Sequence, residues 1–172
     1  MSTGTEAGPG GDADGAARVL AAAEALGLAV EVTRHGPVRS LEEAAAARGI
    51  EPHQLLKTMV VRVREGDHRF VLVPGDREIA WPKLRALLGV NRLSMPDADA
   101  AHAVTGYRRG TITPLGSSTP LAVVADSSIS GLVSIGGGSQ GVALTVDAAE
   151  LLAALGATVA DVTEGRDVSP AS

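Results

Sequence analysis

Two apolar runs, Thr58-Met59-Val60-Val61-Arg62-Val63 and Arg69-Phe70-Val71-Leu72-Val73, flank the connection Arg64-Glu65-Gly66-Asp67-His68. β-Branched and aromatic side chains suit a pleated, half-buried surface, and a short connection bearing Gly and Asp turns such runs back on each other. The pattern predicts a β-hairpin and commits the middle of the chain to a sheet. Just before the first strand, Leu55-Leu56-Lys57 sets one lysine at the mouth of the apolar stretch. A long cationic side chain there either snorkels outward to solvent or points into a cavity, where it suits an anionic or carbonyl-bearing ligand.

Around the hairpin, helix and strand signals alternate. Residues 14–26 are alanine-rich, with Val19, Leu20, Ala23 and Leu26 spaced as one helical face, and Gly27 stops the helix. Residues 29–33 alternate as a strand. Ser40 and Glu43 form a capping box that opens a helix over 40–48 closed by Gly49, and Asp147 with Glu150 opens another through Leu155 that ends at Gly156. Trp81-Pro82 begins a short helix to Leu88, because proline in the first turn sacrifices no intrahelical hydrogen bond. Strands at 121–125, 132–135, 142–146 and 158–162 complete a mixed α/β fold. A length of 172 residues supports one domain with a real core. It is expected over 14–163, with a Gly-rich tail over 1–13 and a flexible one over 164–172.

Composition narrows the chemistry. There is no cysteine, so thiol nucleophiles, disulfides and sulfur-based zinc sites are excluded. His35, His53, His68 and His102 show no metal-ligand spacing, and the default mechanism uses no metal and no cofactor. Phe70, Trp81 and Tyr107 are the only aromatics, too few for a base-stacking platform. No apolar run reaches membrane-spanning length, so no membrane role and a cytoplasmic location are expected. The net charge of −5 divides unevenly: residues 1–56 carry −4, 57–109 carry +4 and 110–172 carry −5. The basic middle third includes Arg62, Arg64, Arg69, Lys83, Arg85, Arg92, Arg108 and Arg109, either as solvated faces or as a phosphate-binding patch.

That same third ends in Thr105-Gly106-Tyr107-Arg108-Arg109-Gly110-Thr111-Ile112-Thr113-Pro114-Leu115-Gly116, too rich in Gly and Pro for regular structure. K-T-x-x-V at Lys57, followed by T-G-Y-x-x-G-x-x-x-P-x-G, resembles the YbaK/ProX family of aminoacyl-tRNA editing domains. The resemblance extends to His35-Gly36-Pro37-Val38-Arg39-Ser40-Leu41-Glu42-Glu43-Ala44-Ala45 and to Gly136-Gly137-Gly138-Ser139-Gln140-Gly141, and covers roughly residues 16–162.

The resemblance implies a YbaK-like fold, with a central mixed, partly barrel-like β-sheet flanked by helices. It also implies hydrolysis of the ester of a mischarged small amino acid, Cys or Ala, on tRNA, with tRNA(Pro) foremost and a prolyl-tRNA synthetase as recruiting partner. By it, Lys57 lines the editing pocket beside Thr58 and meets the terminal ribose or phosphate, or the ester carbonyl. Gly110 and Pro114 belong to a loop whose backbone approaches the aminoacyl group. Glycine lets main chain come close and proline fixes the loop, so that N–H groups stay aimed at a developing oxyanion. Thr105, Gly106 and Thr111 belong to the same substrate loop. Tyr107 either closes the pocket and bonds the ligand or is a buried structural ring. Asp126 either orients Lys57 or caps the Ser127-Ser128 turn. Gly136, Gly137 and Gly138 either cradle phosphate or form a tight turn beside the pocket, and His35 is structural or on the rim. Ala143 stands where the Cys-tRNA(Pro) deacylase branch typically carries aspartate, which suggests a small, apolar-walled pocket. The alternative from another class is a non-catalytic module that binds tRNA 3′ ends, nucleotides or a synthetase.

Overall fold

The computed structural model describes residues 11–166 and has the mixed α/β architecture that the residue pattern predicts. The hairpin forms as β2 (Leu56–Arg64) against β3 (Asp67–Pro74), with Val60 opposite Phe70 and Gly66 turning the chain at φ +79°. β3 pairs in parallel with β5 (Ala122–Asp126), which pairs in parallel with β8 (Thr158–Ala160), giving a sheet of order β2-β3-β5-β8. A second, antiparallel sheet runs β1 (Glu31–Arg34), β7 (Val142–Asp147), β6 (Leu132–Gly136). β4 (Arg77–Ile79) and β9 (Thr163–Gly165) form a short ladder of their own. Among the described residues no barrel closes: β2 is an edge strand of its sheet, and Leu55, just before it, makes an isolated bridge to Ser134 on β6, so the partly barrel-like expectation reduces to two open sheets meeting at one corner.

Both faces of the larger sheet are buried, which explains its near-continuous apolar runs. Leu56, Val60, Phe70, Leu72, Val123 and Ala125 pack against Ile135, Leu144 and Leu151 and against Val19 and Ala23 of α1 (Gly11–Ala25). On the opposite face Val61, Val71, Val73 and Val124 meet Ile79, Leu84 and Val162 beneath α3 (Trp81–Leu88). Each such side chain contributes about 1.5–3 kcal/mol by leaving water.

α2 (Leu41–Arg48) starts where Ser40 Oγ accepts the Glu43 N–H at 3.0 Å, while Glu43 Oε1 accepts from Arg39 N–H at 2.8 Å, one residue earlier than a strict capping box. α5 (Ala148–Leu155) is capped by Asp147, as its sequence predicts. α4 (Ala98–Thr105) lies in a region with no predicted element; the Asp97 carboxylate accepts the Ala100 N–H at 2.8 Å and Gly106 ends the helix at φ +81°. The β4–β9 ladder is likewise new, and it carries regular structure to Gly165. Of the expected tails, 1–10 and 167–172 lie outside the described residues.

Candidate active site

A cavity of about 640 Å³ opens along the free edge of β2. Its walls come from Leu55 to Val60, from Arg48 at the end of α2, from Met95 to Ala98 and Ala101 on and before α4, from Arg109, Gly110 and Ile112, and from Gly136 at the end of β6. The segment before α4 is held over the β2 edge by paired backbone bonds, Arg62 N–H to Ser94 O at 2.7 Å and Ser94 N–H to Arg62 O at 3.1 Å. A second cavity of about 290 Å³ shares Lys57, Met59 and Met95 with the first and is otherwise lined by Val73, Glu78, Ile79, Trp81 and Glu164.

Lys57 stands in the wall common to both. Its Nζ donates to Arg77 O at 2.6 Å. Burial pulls its pKa below the ordinary lysine value and nearby Arg166 adds to the effect, while Glu78 and Asp76 oppose it. Arg77 is itself fixed, donating from Nε to Thr163 Oγ1 at 2.5 Å and from Nη2 to Thr163 O at 3.1 Å. Behind it lies Asp126, 1% exposed, with Oδ2 4.0 Å from Arg77 Nε. Asp126 accepts the Val162 N–H at 3.0 Å, the Ser128 N–H at 3.1 Å and the Ser128 hydroxyl. Burial alone would raise its pKa, but these donors hold the carboxyl below the usual carboxylate range. Asp126 therefore caps the turn directly and is linked to Lys57 only through Arg77.

The T-G-Y segment is arranged differently from its expected role as substrate loop. Thr105 is fully buried; its hydroxyl donates to Ala101 O at 2.9 Å and accepts the Tyr107 N–H at 3.0 Å. Tyr107 is 1% exposed, donates to Leu115 O at 2.5 Å, and lies under the Arg18 guanidinium at 4.5 Å. Arg18 in turn donates to the carbonyls of Thr105 and Gly116, at 3.0 Å each. A Cβ at Gly106 would come within 2.7 Å of Arg18 Nη2, and one at Gly116 within 2.8 Å of the Tyr107 hydroxyl. These glycines accommodate packing from α1. Thr111 commits both its N–H and its hydroxyl to Arg108 O, and Pro114 is buried away from the cavity. Within the motif, Gly110, at φ +87°, reaches the cavity wall together with Arg109 and Ile112.

The glycine triplet divides in the same way. Gly136 lines the cavity. A Cβ on Gly138 would sit 2.5 Å from Gly15 O and one on Gly137 2.8 Å from Val142 O, while Ala16 N–H donates to Ser139 Oγ at 3.1 Å. Gly138 thus seats α1, Gly137 packs against the start of β7, and neither reaches the cavity. His35 Nδ1 lies 2.8 Å from Gly36 O, apart from the cavity. Of the twelve expected site residues, the fold brings Lys57, Thr58, Gly110 and Gly136 together; Thr105, Gly106, Tyr107, Thr111, Pro114, Asp126, Gly137 and Gly138 stand behind the wall or beyond it.

Two cations of the larger cavity escape the sequence reading of the site. Arg109 was legible only as part of the basic third. Arg48, just before Gly49, reads from sequence as the usual cation at a helix C-terminus, yet it lines the cavity. Among the described residues, Arg48, Lys57 and Arg109 share the cavity lining with one acidic residue, Asp97, and that carboxylate already caps α4. Elsewhere in the basic third Arg64 and Arg69 pair with Asp67, Lys83 with Asp161, and Arg62 donates to Ser94 Oγ. Among the described residues, no group of three or more His, Asp or Glu is placed to hold a metal ion, and no helix is long and apolar enough to cross a membrane.

Known proteins with similar sequence converge on one family. The profile of the aminoacyl-tRNA editing domain matches residues 35–154. The proline–tRNA ligase of Geobacter sp. (strain M21) is 35% identical over 94 residues, 55% of this chain and 16% of that enzyme. That of Desulfotalea psychrophila (strain LSv54 / DSM 12343) is 41% identical over 80 residues, 46% of this chain and 14% of that enzyme. The chain thus matches only about one-sixth of the length of these ligases. A crystal structure described as a candidate trans-editing enzyme for prolyl tRNA synthetase superposes with a TM-score of 0.79 at 31% identity, covering 88% of this chain and 98% of that one. A crystallised hypothetical protein gives 0.77 at 30% identity, covering 86% and 99%. With the family profile matching residues 35–154 and solved structures of 31% and 30% identity superposing over 88% and 86% of the chain, the chain belongs to the aminoacyl-tRNA editing domain family.

Proposed function

We propose that this chain hydrolyses the ester between a small amino acid, Cys or Ala, and the 3′ end of a mischarged tRNA, with tRNA(Pro) the preferred carrier. The observation that carries the reading is Lys57, whose ammonium stands between two cavities of opposite chemistry. An aminoacyl ester has the same polarity: a nucleotide with phosphate on one side, an amino acid with an ammonium on the other. The larger cavity, lined by Arg48 and Arg109, suits the nucleotide. The smaller one has apolar walls from Val73, Ile79 and Trp81, and its carboxylates Glu78 and Glu164 complement the ammonium. Its size of about 290 Å³ favours small side chains by exclusion, since an apolar pocket separates ligands differing by one methylene by only about 1–3 kcal/mol.

The ester lies at Lys57. Water adds to the carbonyl carbon, the charge that develops on the carbonyl oxygen is met by the ammonium, and the C–O bond to the ribose breaks as the ribose oxygen takes up a proton. Positioning and preformed charge supply the acceleration, with no protein nucleophile. The proline–tRNA ligase relatives support tRNA(Pro) as carrier and a prolyl-tRNA synthetase as recruiting partner.

The test is deacylation of Ala-, Cys- and Ser-charged tRNA(Pro) beside correctly charged Pro-tRNA(Pro). Selective hydrolysis of one mischarged species, with kcat/KM reduced about 100-fold or more in Lys57→Ala, is the expected result. No hydrolysis of any species favours the non-catalytic binding module.

A further inference from the structure

Arg48 enters the larger cavity from the last turn of α2. Its Nη1 donates to Ser134 Oγ at 3.0 Å, and its Nε is buried without a hydrogen-bond partner. Burial lowers its pKa from the ordinary arginine value, and no carboxylate stands within ion-pairing distance of it among the described residues. Thr58 Oγ1, on β2 in the same cavity, is also buried without a partner. A partly buried guanidinium whose Nε is cut off from water with no counter-charge opposes folding, as does an unmet hydroxyl. Two such groups lining one cavity indicate a ligand that satisfies both.

The fold aims this arginine. Ser134 is fully buried on β6, beside Leu55 at the single bridge between the two sheets. A guanidinium held there presents N–H donors in a planar fork that matches paired oxygens of an oxyanion. With Arg48, Lys57 and Arg109 against the committed carboxylate of Asp97, the cavity carries more positive charge than one carboxylate would need, and its volume of about 640 Å³ admits a nucleotide. Lys57 and Thr58 are consecutive on a strand and point to opposite faces, so the group that meets Lys57 differs from the one that meets Thr58.

We propose that Arg48 and Thr58 form an anion subsite for a phosphate ester, the phosphodiester on the 5′ side of the ligand's terminal nucleoside. The inference rests on the editing function proposed above, because it assigns a subsite of that same cavity. It divides recognition in two: Lys57 meets the ester, and Arg48 anchors the phosphate.

The experiment compares AMP with adenosine by titration calorimetry on the wild type, Arg48→Met, Arg48→Lys and Thr58→Val, alongside thermal unfolding of the ligand-free proteins. The wild type is expected to bind AMP at least about tenfold more tightly than adenosine. Arg48→Met erases that preference while leaving adenosine affinity unchanged, and it raises the unfolding midpoint by removing an uncompensated buried charge. Arg48→Lys and Thr58→Val keep part of the preference. With mischarged tRNA, Arg48→Met raises KM and leaves kcat near the wild-type value. An AMP preference that survives in Arg48→Met overturns the subsite. So does a lowered unfolding midpoint with the preference intact, which would make Arg48 a structural partner of Ser134. An Arg48-dependent AMP preference in a protein that deacylates no tRNA supports the subsite and removes the editing reading, with free nucleotides then the source of the phosphate.

Discussion

Lys57 is less comfortable as a cation in the folded chain than in water, and that fixes how activity and stability respond to pH. Its folded pKa lies below the ordinary 10.5 because of burial first and Arg166 second. If the ammonium meets the developing oxyanion, the alkaline limb of a kcat/KM profile for deacylation falls below pH 10.5, and an unshifted limb argues against that role. The stability effect has the opposite sign. Between the folded value and 10.5 the unfolded chain binds more protons, so the contribution of Lys57 to stability increases as pH rises through that window. Asp126 shifts stability with pH in the same direction, but as a favourable charge in the fold, whereas the Lys57 ammonium is an unfavourable one. The folded pKa of Asp126 lies below 3.8, so its contribution is fully present above that value and is lost as pH falls through the folded one. Asp126→Ala leaves the Val162 and Ser128 donors unmet and should lower unfolding free energy by about 3 kcal/mol in denaturant titrations near neutral pH.

Secondary structure was legible wherever its determinants are local. Ser40, Asp147 and the glycines after α2 and α5 mark those helices because cap and stop act within a few residues. α4 has the same kind of cap in Asp97, but its eight residues lie in a Pro- and Gly-punctuated region, and its position depends on the Arg62–Ser94 pairing from a distant strand. β4 and β9 are three residues each and exist only as each other's partners. The site shows the same division. Lys57 and Gly110 announce themselves through the strand mouth and the loop, whereas Arg48 becomes visible only once α2 is docked beside β6. The glycines of the late loop are legible as glycines, but the purpose of Gly138, the seat of α1, is not. That purpose is testable. Gly66→Ala meets open space and should cost about 1–2 kcal/mol for its positive φ alone. Gly138→Ala meets Gly15 O at 2.5 Å as well and should cost clearly more, measured side by side by chemical denaturation. Equal losses at the two positions would mean that α1 yields freely.

For the whole molecule, the proposed function requires a chain of net charge −5 to find a polyanion, and the cavity gathers three cations in one place. Asp67 offsets part of the charge of Arg64 and Arg69 and Asp161 that of Lys83, while the cations Arg48, Lys57 and Arg109 gather at one cavity. Counterion release makes this countable, because each phosphate met on a single strand contributes about −0.7 to the slope of log affinity against log salt. If recognition is confined to the 3′ end at the cavity, the slope for uncharged tRNA is about −2. A slope of about −5 or steeper would require many more phosphate contacts, and exposed Arg92 and Arg108 would then have to carry acceptor-stem contacts. A shallow slope has a further consequence: the chain alone binds weakly at physiological salt, so selection among tRNAs falls to a partner that holds the tRNA body. Added prolyl-tRNA synthetase should then lower KM for mischarged tRNA(Pro) without changing kcat, while a steep slope with no effect of synthetase would return the whole of tRNA recognition to this domain.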